Sequence, residues 1–220
     1  MTGRTVARGP FGPGPGPNGP PPGTTHRARL VVTTGANRRE VTAMHTVIVY
    51  ESMYGNTREI AEAIADGIHR ADPAAAVDCL PVAEADAELT RSADLLVVGG
   101  PTHMHGMSSG VSRRMAATAE AKREGHEEAA REAHEAAEGQ GLRTWFRHLP
   151  DTEHGTYAAA FDTRGTGAGS GGAAPGIAHR LEHHHYDVVA EPEGFVVEGL
   201  DGPLRAGELD RARAWGAALL

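Results

Sequence analysis

The sequence predicts an α/β domain built on a doubly wound parallel sheet of five strands in the order 2-1-3-4-5, with helices on both faces. Three observations predict it. Strand-like and helix-like segments alternate from residue 45 to the end of the chain. The run Leu95–Val98 is apolar without alternation, as a strand covered on both faces must be. Helical segments stand between successive strands, and parallel pairing requires such crossovers, which are right-handed.

The elements follow in order. Thr46–Tyr50 is an apolar, β-branched run and reads as the first strand. Asn56–Arg70 carries Ile60, Ile64 and Ile68 at helical spacing. Ala75–Leu80 is a second, weaker strand, Asp94–Gly99 the third and Tyr157–Phe161 the fourth. Ala173–His185 reads as a helix. Asp187–Ala190 and Phe195–Glu198 read as two short strands parted by Pro192, which has no amide to give a central ladder. Glu208–Leu219, with Leu209, Ala212 and Leu219 among its apolar positions, is the last helix.

Two stretches fall outside this alternation. Residues 1–43 include FGPGPGPNGPPPG at Phe11–Gly23, which lacks the donors for a ladder and the propensity for a helix, and the segment is expected to be disordered. Met44 stands immediately before the first strand, where the composition changes, and is read as the true start, with 44–220 as the folded domain. Between the third and fourth strands lie more than fifty residues, Pro101 to Thr156. Within them Ala119–Glu138 is nearly all Ala, Glu, Arg and His, a helix former with no broad apolar face, and a solvated helix is expected. Trp145, Phe146 and Leu149 then offer an apolar anchor back to the sheet.

Charge and cysteine content exclude several classes. Up to Ala43 there are six arginines and one acid; from Met44 onward 15 basic residues face 28 acidic ones, a net of −13. An acidic body argues against nucleic-acid binding. It suits steering toward a partner with a basic docking surface, and equally suits simple solubility. No apolar run approaches the roughly 20 residues of a membrane helix, and the N-terminus has no apolar signal region. The single cysteine, Cys79, can form neither an internal disulfide nor a thiolate metal site, and reads as a packed small hydrophobe in a reducing, cytoplasmic setting.

In a doubly wound sheet, ligands bind outside the carboxyl ends of the strands, where the strand order reverses. The first such loop is Ser52-Met53-Tyr54-Gly55-Asn56-Thr57, between a buried strand and a helix N-terminus. Free backbone N–H groups and the helix dipole make that turn an anion site, Ser52 and Thr57 add hydroxyl donors, and Gly55 allows close approach. It lacks the lysine and the spacing of a nucleoside triphosphate loop. As a plain helix cap the loop has more polar and small positions than a cap needs. The next is Gly99-Gly100-Pro101-Thr102-His103-Met104-His105-Gly106, and the loop after the fourth strand carries Thr163 and Arg164.

These three loops resemble those of the flavodoxin family. Ser52, Gly55, Asn56 and Thr57 fit its phosphate loop, Thr/Ser-x-Thr-Gly-x-Thr, while Tyr54 departs from it by replacing a small hydroxyl residue. The resemblance extends over 45–220, through Phe161-Asp162-Thr163-Arg164 to Gly202-Pro203-Leu204 and the last helix. It implies FMN, held by its phosphate without a metal, with the ring between the loops after the third and fourth strands. His103, Met104 and His105 are then the candidates beside the ring, where the family often stacks Trp or Tyr. Gly106 is a candidate hinge for the peptide near flavin N5. The implied function is that of an electron carrier, with no catalytic side chain. An NAD(P)H-dependent FMN quinone reductase on the same fold, and an interaction domain that has lost FMN, remain as alternatives.

Two further patterns carry less. Gly167-x-Gly169-x-x-Gly172, with Glu191 about 20 residues on, matches a dinucleotide fingerprint, but it does not directly follow the strand and too little chain remains for that domain. His179, His183, His184 and His185 read as cationic groups at a helix C-terminus rather than as metal ligands.

Overall fold

Beta-branched and apolar residues set the centre of the sheet. In the computed structural model, which describes residues 44–103, 106–107, 141–152, 156–166, 172–199 and 202–220, these elements form the predicted fold. The strands are β1 (His45–Tyr50), β2 (Ala76–Pro81), β3 (Leu95–His103), β4 (Gly106–Met107), β5 (Tyr157–Gly165), β6 (Asp187–Val188) and β7 (Glu193–Val197). The helices among the described residues are α1 (Asn56–Ala71), α2 (Ala87–Ser92), α3 (Leu142–Trp145), α4 (Ala173–His183) and α5 (Glu208–Ala217). The main sheet runs β2-β1-β3-β5 with parallel pairs throughout. Its fifth position is shared: β6 pairs with Tyr157–Ala158 and β7 with Phe161–Gly165, both parallel to β5. The break falls where Pro192 predicts it. The chain divides into two units, Met1–Val41 and Thr42–Leu220, and the described residues all lie in the second.

Alternation along each strand builds two cores. Ile48, Tyr50, Leu95, Val97, Ala159 and Phe161 face α1 and α5, while Val47, Val49, Leu96, Val98, Ala158 and Ala160 face α2, α3 and α4. On α1, Ile60, Ile64 and Ile68 are all fully buried, each contributing about 1.5–3 kcal/mol of apolar burial. Trp145, Phe146 and Leu149 do return the chain to the core, and the Trp145 indole donates to the carbonyl oxygen of Ala85 at 3.0 Å. A cavity of about 330 Å³ lies beside them, lined by Asp86, Thr90, Trp145, His148 and Leu149 among others.

The structure corrects several boundaries. The third strand does not stop at Gly99 but runs to His103, and the fourth runs to Gly165 rather than Phe161. Pro101 is tolerated because β1 has ended: its last pair is Tyr50 with Gly99, so the donorless nitrogen of Pro101 faces a side with no neighbouring strand. Six-residue α2 was not predicted; Asp86 starts it by accepting the amide of Leu89 at 2.7 Å. Helix α4 ends at His183, two residues short, because His185 takes a left-handed conformation (φ 66°). Residues 108–140, which hold the Ala/Glu-rich stretch, lie outside the described residues, as do 1–43 and 167–171.

Cys79 sits half-buried on β2, and burial pushes its thiol up to about 12. At pH 8 this leaves about 1 thiol in 10⁴ ionised, against roughly a quarter for an ordinary cysteine. After allowing for the greater nucleophilicity of a more basic thiolate, iodoacetamide should react about a hundredfold more slowly than with a free thiol. Mass-spectrometric alkylation kinetics on the native protein check this; a rate within tenfold of the free thiol would show a reactive cysteine.

Candidate functional site

The carboxyl ends of β1, β3 and β5 bring the predicted loops to one edge of the sheet. Between β1 and α1 the chain turns through Ser52, Met53, Tyr54 and Gly55, all partly exposed. Gly55 is the N-cap of α1, in the left-handed region at φ 85°, and has no side chain of its own to cap the helix. A Cβ on Gly55 would meet no atom within 4 Å, so the space above this helix end is open. The amide of Arg58 donates to Ser52 Oγ at 3.3 Å, which leaves the Ser52 hydroxyl its own proton to give. Asn56 lies against Gly202: a Cβ at residue 202 would fall 2.6 Å from Asn56 Oδ1.

Thr57 and Thr163 meet beneath this turn. Both are buried, and their hydroxyl oxygens are 2.8 Å apart. Two hydroxyls carry two protons, and one bond between them uses one. The pair therefore has a second proton to donate. An oxygen-rich anion at this helix end would accept that proton.

Thr102 and Arg164 are turned to the opposite face, toward α4. Asp162, fully buried on β5, accepts from Arg164 Nε at 2.7 Å and from the amide of Ala174 at 2.8 Å. Thr102 Oγ1 accepts from the amide of Ala173 at 2.8 Å. Burial holds the Asp162 carboxyl above the ordinary range, against the opposing effect of these donors. Pro101, Thr102 and His103 are therefore strand residues, and Gly106 belongs to β4, which pairs antiparallel with β3 through His103–Gly106 and Thr102–Met107. The expectation of a loop there is corrected; a Gly-Gly-Pro run reads as a breaker although this strand carries it. Met104 and His105 lie outside the described residues.

Two carboxylates at this edge escaped the sequence reading as site residues. One is Asp162. The other is Glu51, buried directly after β1, whose Oε2 accepts the amide of Leu142 at 2.9 Å and so fixes the start of α3 beside the phosphate-loop candidate. The signal for both was an acid at the end of an apolar strand, because a buried carboxylate must find donors. Of the other patterns, Gly172 abuts Asp162 and Arg164, and His184 pairs with Asp151 at 2.9 Å while stacking on Phe146. Among the described residues no three His, Cys, Asp or Glu side chains gather as a metal would require.

A left-handed glycine at an open helix end, hydroxyls on both sides of it, and the 2-1-3-4-5 parallel sheet are the setting in which sequence and fold comparisons fall. The sequence profile of the family described as flavodoxin matches residues 48–215. The chain belongs to the flavodoxin family. Among solved structures, this flavodoxin-family chain is similar to a flavodoxin from the domain Archaea, at 20% identity and a TM-score of 0.52, covering 80% of this chain and 96% of that one. It is also similar to oxidised Flavodoxin 1 from Bacillus cereus, at 16% identity and a TM-score of 0.52, covering 79% and 95%. A Streptococcus pneumoniae flavodoxin gives 17% identity and a TM-score of 0.51, covering 80% and 99%. These likenesses are likenesses of fold. No curated protein sequence matches the chain. Among the described residues no helix is long and apolar enough to cross a membrane.

Proposed function

We propose that this flavodoxin-family chain binds FMN through its phosphate at Ser52–Thr57 and serves as an electron carrier. The observation that carries the reading is the buried Thr57–Thr163 hydroxyl pair, 2.8 Å apart, beneath the left-handed Gly55 turn that opens α1. In this reading the positive dipole end of α1 and the hydroxyls of Ser52 and Thr57 take the phosphate oxygens without a metal ion. Thr163 holds the Thr57 hydroxyl in place. Bound FMN would supply the electron chemistry itself; the chain supplies shape, exclusion of water and electrostatics. The net charge of −8 disfavours further negative charge on reduction and favours encounter with partners that present a basic surface. No side chain at the site need act as nucleophile or general base.

Adding FMN to purified apoprotein and recording absorption and flavin fluorescence tests this. The expected result is quenched fluorescence, a flavin spectrum that stays with the protein on gel filtration, and weaker retention of riboflavin. A chain that takes up no FMN would be the interaction domain instead. Steady NAD(P)H consumption with a quinone by the FMN-loaded chain would make it a reductase.

A further inference from the structure

The phosphate end of the site has a second wall, and it comes from the far end of the chain. After β7 the backbone turns back on itself. The amide of Glu198 donates to the carbonyl oxygen of Pro203 at 2.8 Å, the amide of Arg205 donates to that of Val196 at 2.9 Å, and Leu204 bridges antiparallel to Val197. Gly202 stands in this turn at φ 115°, a conformation that residues with a Cβ rarely adopt. It also has no room for one. A Cβ there would fall 2.6 Å from Oδ1 and 2.8 Å from Nδ2 of Asn56, the first residue of α1. The turn therefore lies directly against the Asn56 side chain, while Gly55, one residue earlier, faces open space. These contacts close a ring. Asn56 leads to Thr57, whose hydroxyl meets that of Thr163 on β5. Thr163 pairs with Phe195 on β7, and β7 runs into the turn that holds Gly202. The start of α1 is thus held twice by the same pair of strands, once through Thr163 and once through the turn. Two attachments fix an orientation that one leaves free, and a ligand's donors are useful only when so fixed.

We propose that Gly202 is a positioning residue for the phosphate end: acting through Asn56, the turn between β7 and α5 aims the first turn of α1 and thereby sets how strongly the protein prefers a flavin that carries a phosphate over one that does not. This rests on the FMN reading above. A side chain at residue 202 would drive Asn56 from its place and turn the start of α1 away from Thr163. The effect belongs to the phosphate alone, because the turn meets the protein at the helix that receives it.

The test uses the full chain, with FMN and riboflavin titrated into each apoprotein. Gly202→Ala is expected to lower the ratio of FMN to riboflavin affinity about tenfold, the scale of one charge-assisted bond put out of line. Gly199→Ala is the control for backbone strain. It stands in the same turn at φ 82°, but its Cβ would meet only the carbonyl oxygen of Gly202, at 4.0 Å, so the ratio should hold. Asn56→Ser removes the atoms that the Cβ strikes. In that background Gly202→Ala should leave the ratio where Asn56→Ser alone puts it, the mark of two residues acting through one contact. A measurement on the wild-type apoprotein guards against a Gly202→Ala chain that does not fold. Saturating inorganic phosphate should slow hydrogen exchange severalfold at the amides of Glu198 and Arg205, which close the turn. Equal losses for both flavins in Gly202→Ala, an equal fall of the ratio in Gly199→Ala, or phosphate protection confined to the start of α1 would each overturn the proposal and leave the turn a purely structural one. Wild-type protein that takes up no FMN would overturn the functional reading and this proposal together; FMN uptake with an unmoved ratio in Gly202→Ala overturns only this one.

Discussion

Alanine in place of Gly67 or Gly216 is expected to destabilise the protein by about 3 kcal/mol or more, although Gly-to-Ala changes inside helices ordinarily stabilise by about 1 kcal/mol. The reason is where α1 and α5 cross. A Cβ at Gly67 would overlap the carbonyl oxygen of Arg213, with the carbonyl carbon at 2.8 Å. A Cβ at Gly216 would overlap the carbonyl oxygen of Ile64, with its carbon at 3.0 Å. Both obstacles are helix backbone, which cannot swing aside as a side chain can. Relief would require α5 to lift from α1, separating Trp215 from Phe161 and Phe195, whose rings it meets edge-on at 6.3 Å. Against a typical total of 5–15 kcal/mol such a loss is severe. Gly176→Ala on α4, where the nearest atom is the far end of Arg180 at 3.8 Å, is the control and should be neutral or slightly stabilising. Urea denaturation of the three variants decides it. A cost below about 1 kcal/mol at Gly67 would mean the two helices are not in backbone contact.

The second large effect belongs to the phosphate end. Thr57→Val should weaken FMN binding by about 1–3 kcal/mol, roughly ten- to a hundredfold, by removing a charge-assisted donor. Thr163→Val should cost less, since Thr57 keeps a proton to give but loses the partner that aims it. The double variant should cost no more than Thr57→Val alone, because the Thr163 hydroxyl acts only through Thr57. Riboflavin, which lacks the phosphate, should be little affected in all three. Fluorescence titration of both flavins into each apoprotein supplies the affinities. Equal losses for FMN and riboflavin would mean that the loop acts through general structure, and the phosphate assignment would fall.

These two predictions mark what the sequence made legible. The sheet order, the split at Pro192 and the phosphate-loop candidate were readable, because each depends on a local pattern: an apolar run, a missing amide, a hydroxyl-rich turn before a helix. The extension of β3 through Gly99-Gly100-Pro101 was not, because its stability comes from neighbours. Gly99 makes room for the Phe161 ring, Leu142 packs onto Gly100, and β1 ends in time for Pro101. The helix crossing at Gly67 and Gly216 was hidden for the same reason. Within one helix a glycine reads as a weakness, and only the second helix turns it into a requirement. Thr163 was identified as a site residue by resemblance, but its pairing with Thr57 across 106 residues is a product of the parallel register.

The divided fifth strand has a consequence for how these molecules meet one another. A long, straight border strand offers a continuous row of unpaired amides and carbonyls on which a second molecule can add its own strand. Here that border consists of two residues, a detour through Pro192, and five more. Arg211 reaches over the second piece to Glu193 and the carbonyl oxygen of Gly194, and its guanidinium lies 4.7 Å above the Phe195 ring. On the far side the sheet stops at β2, which closes on Pro81 and points Asp78 outward. A border divided in this way offers a neighbouring copy a shorter row of amides and carbonyls to extend than an unbroken strand would.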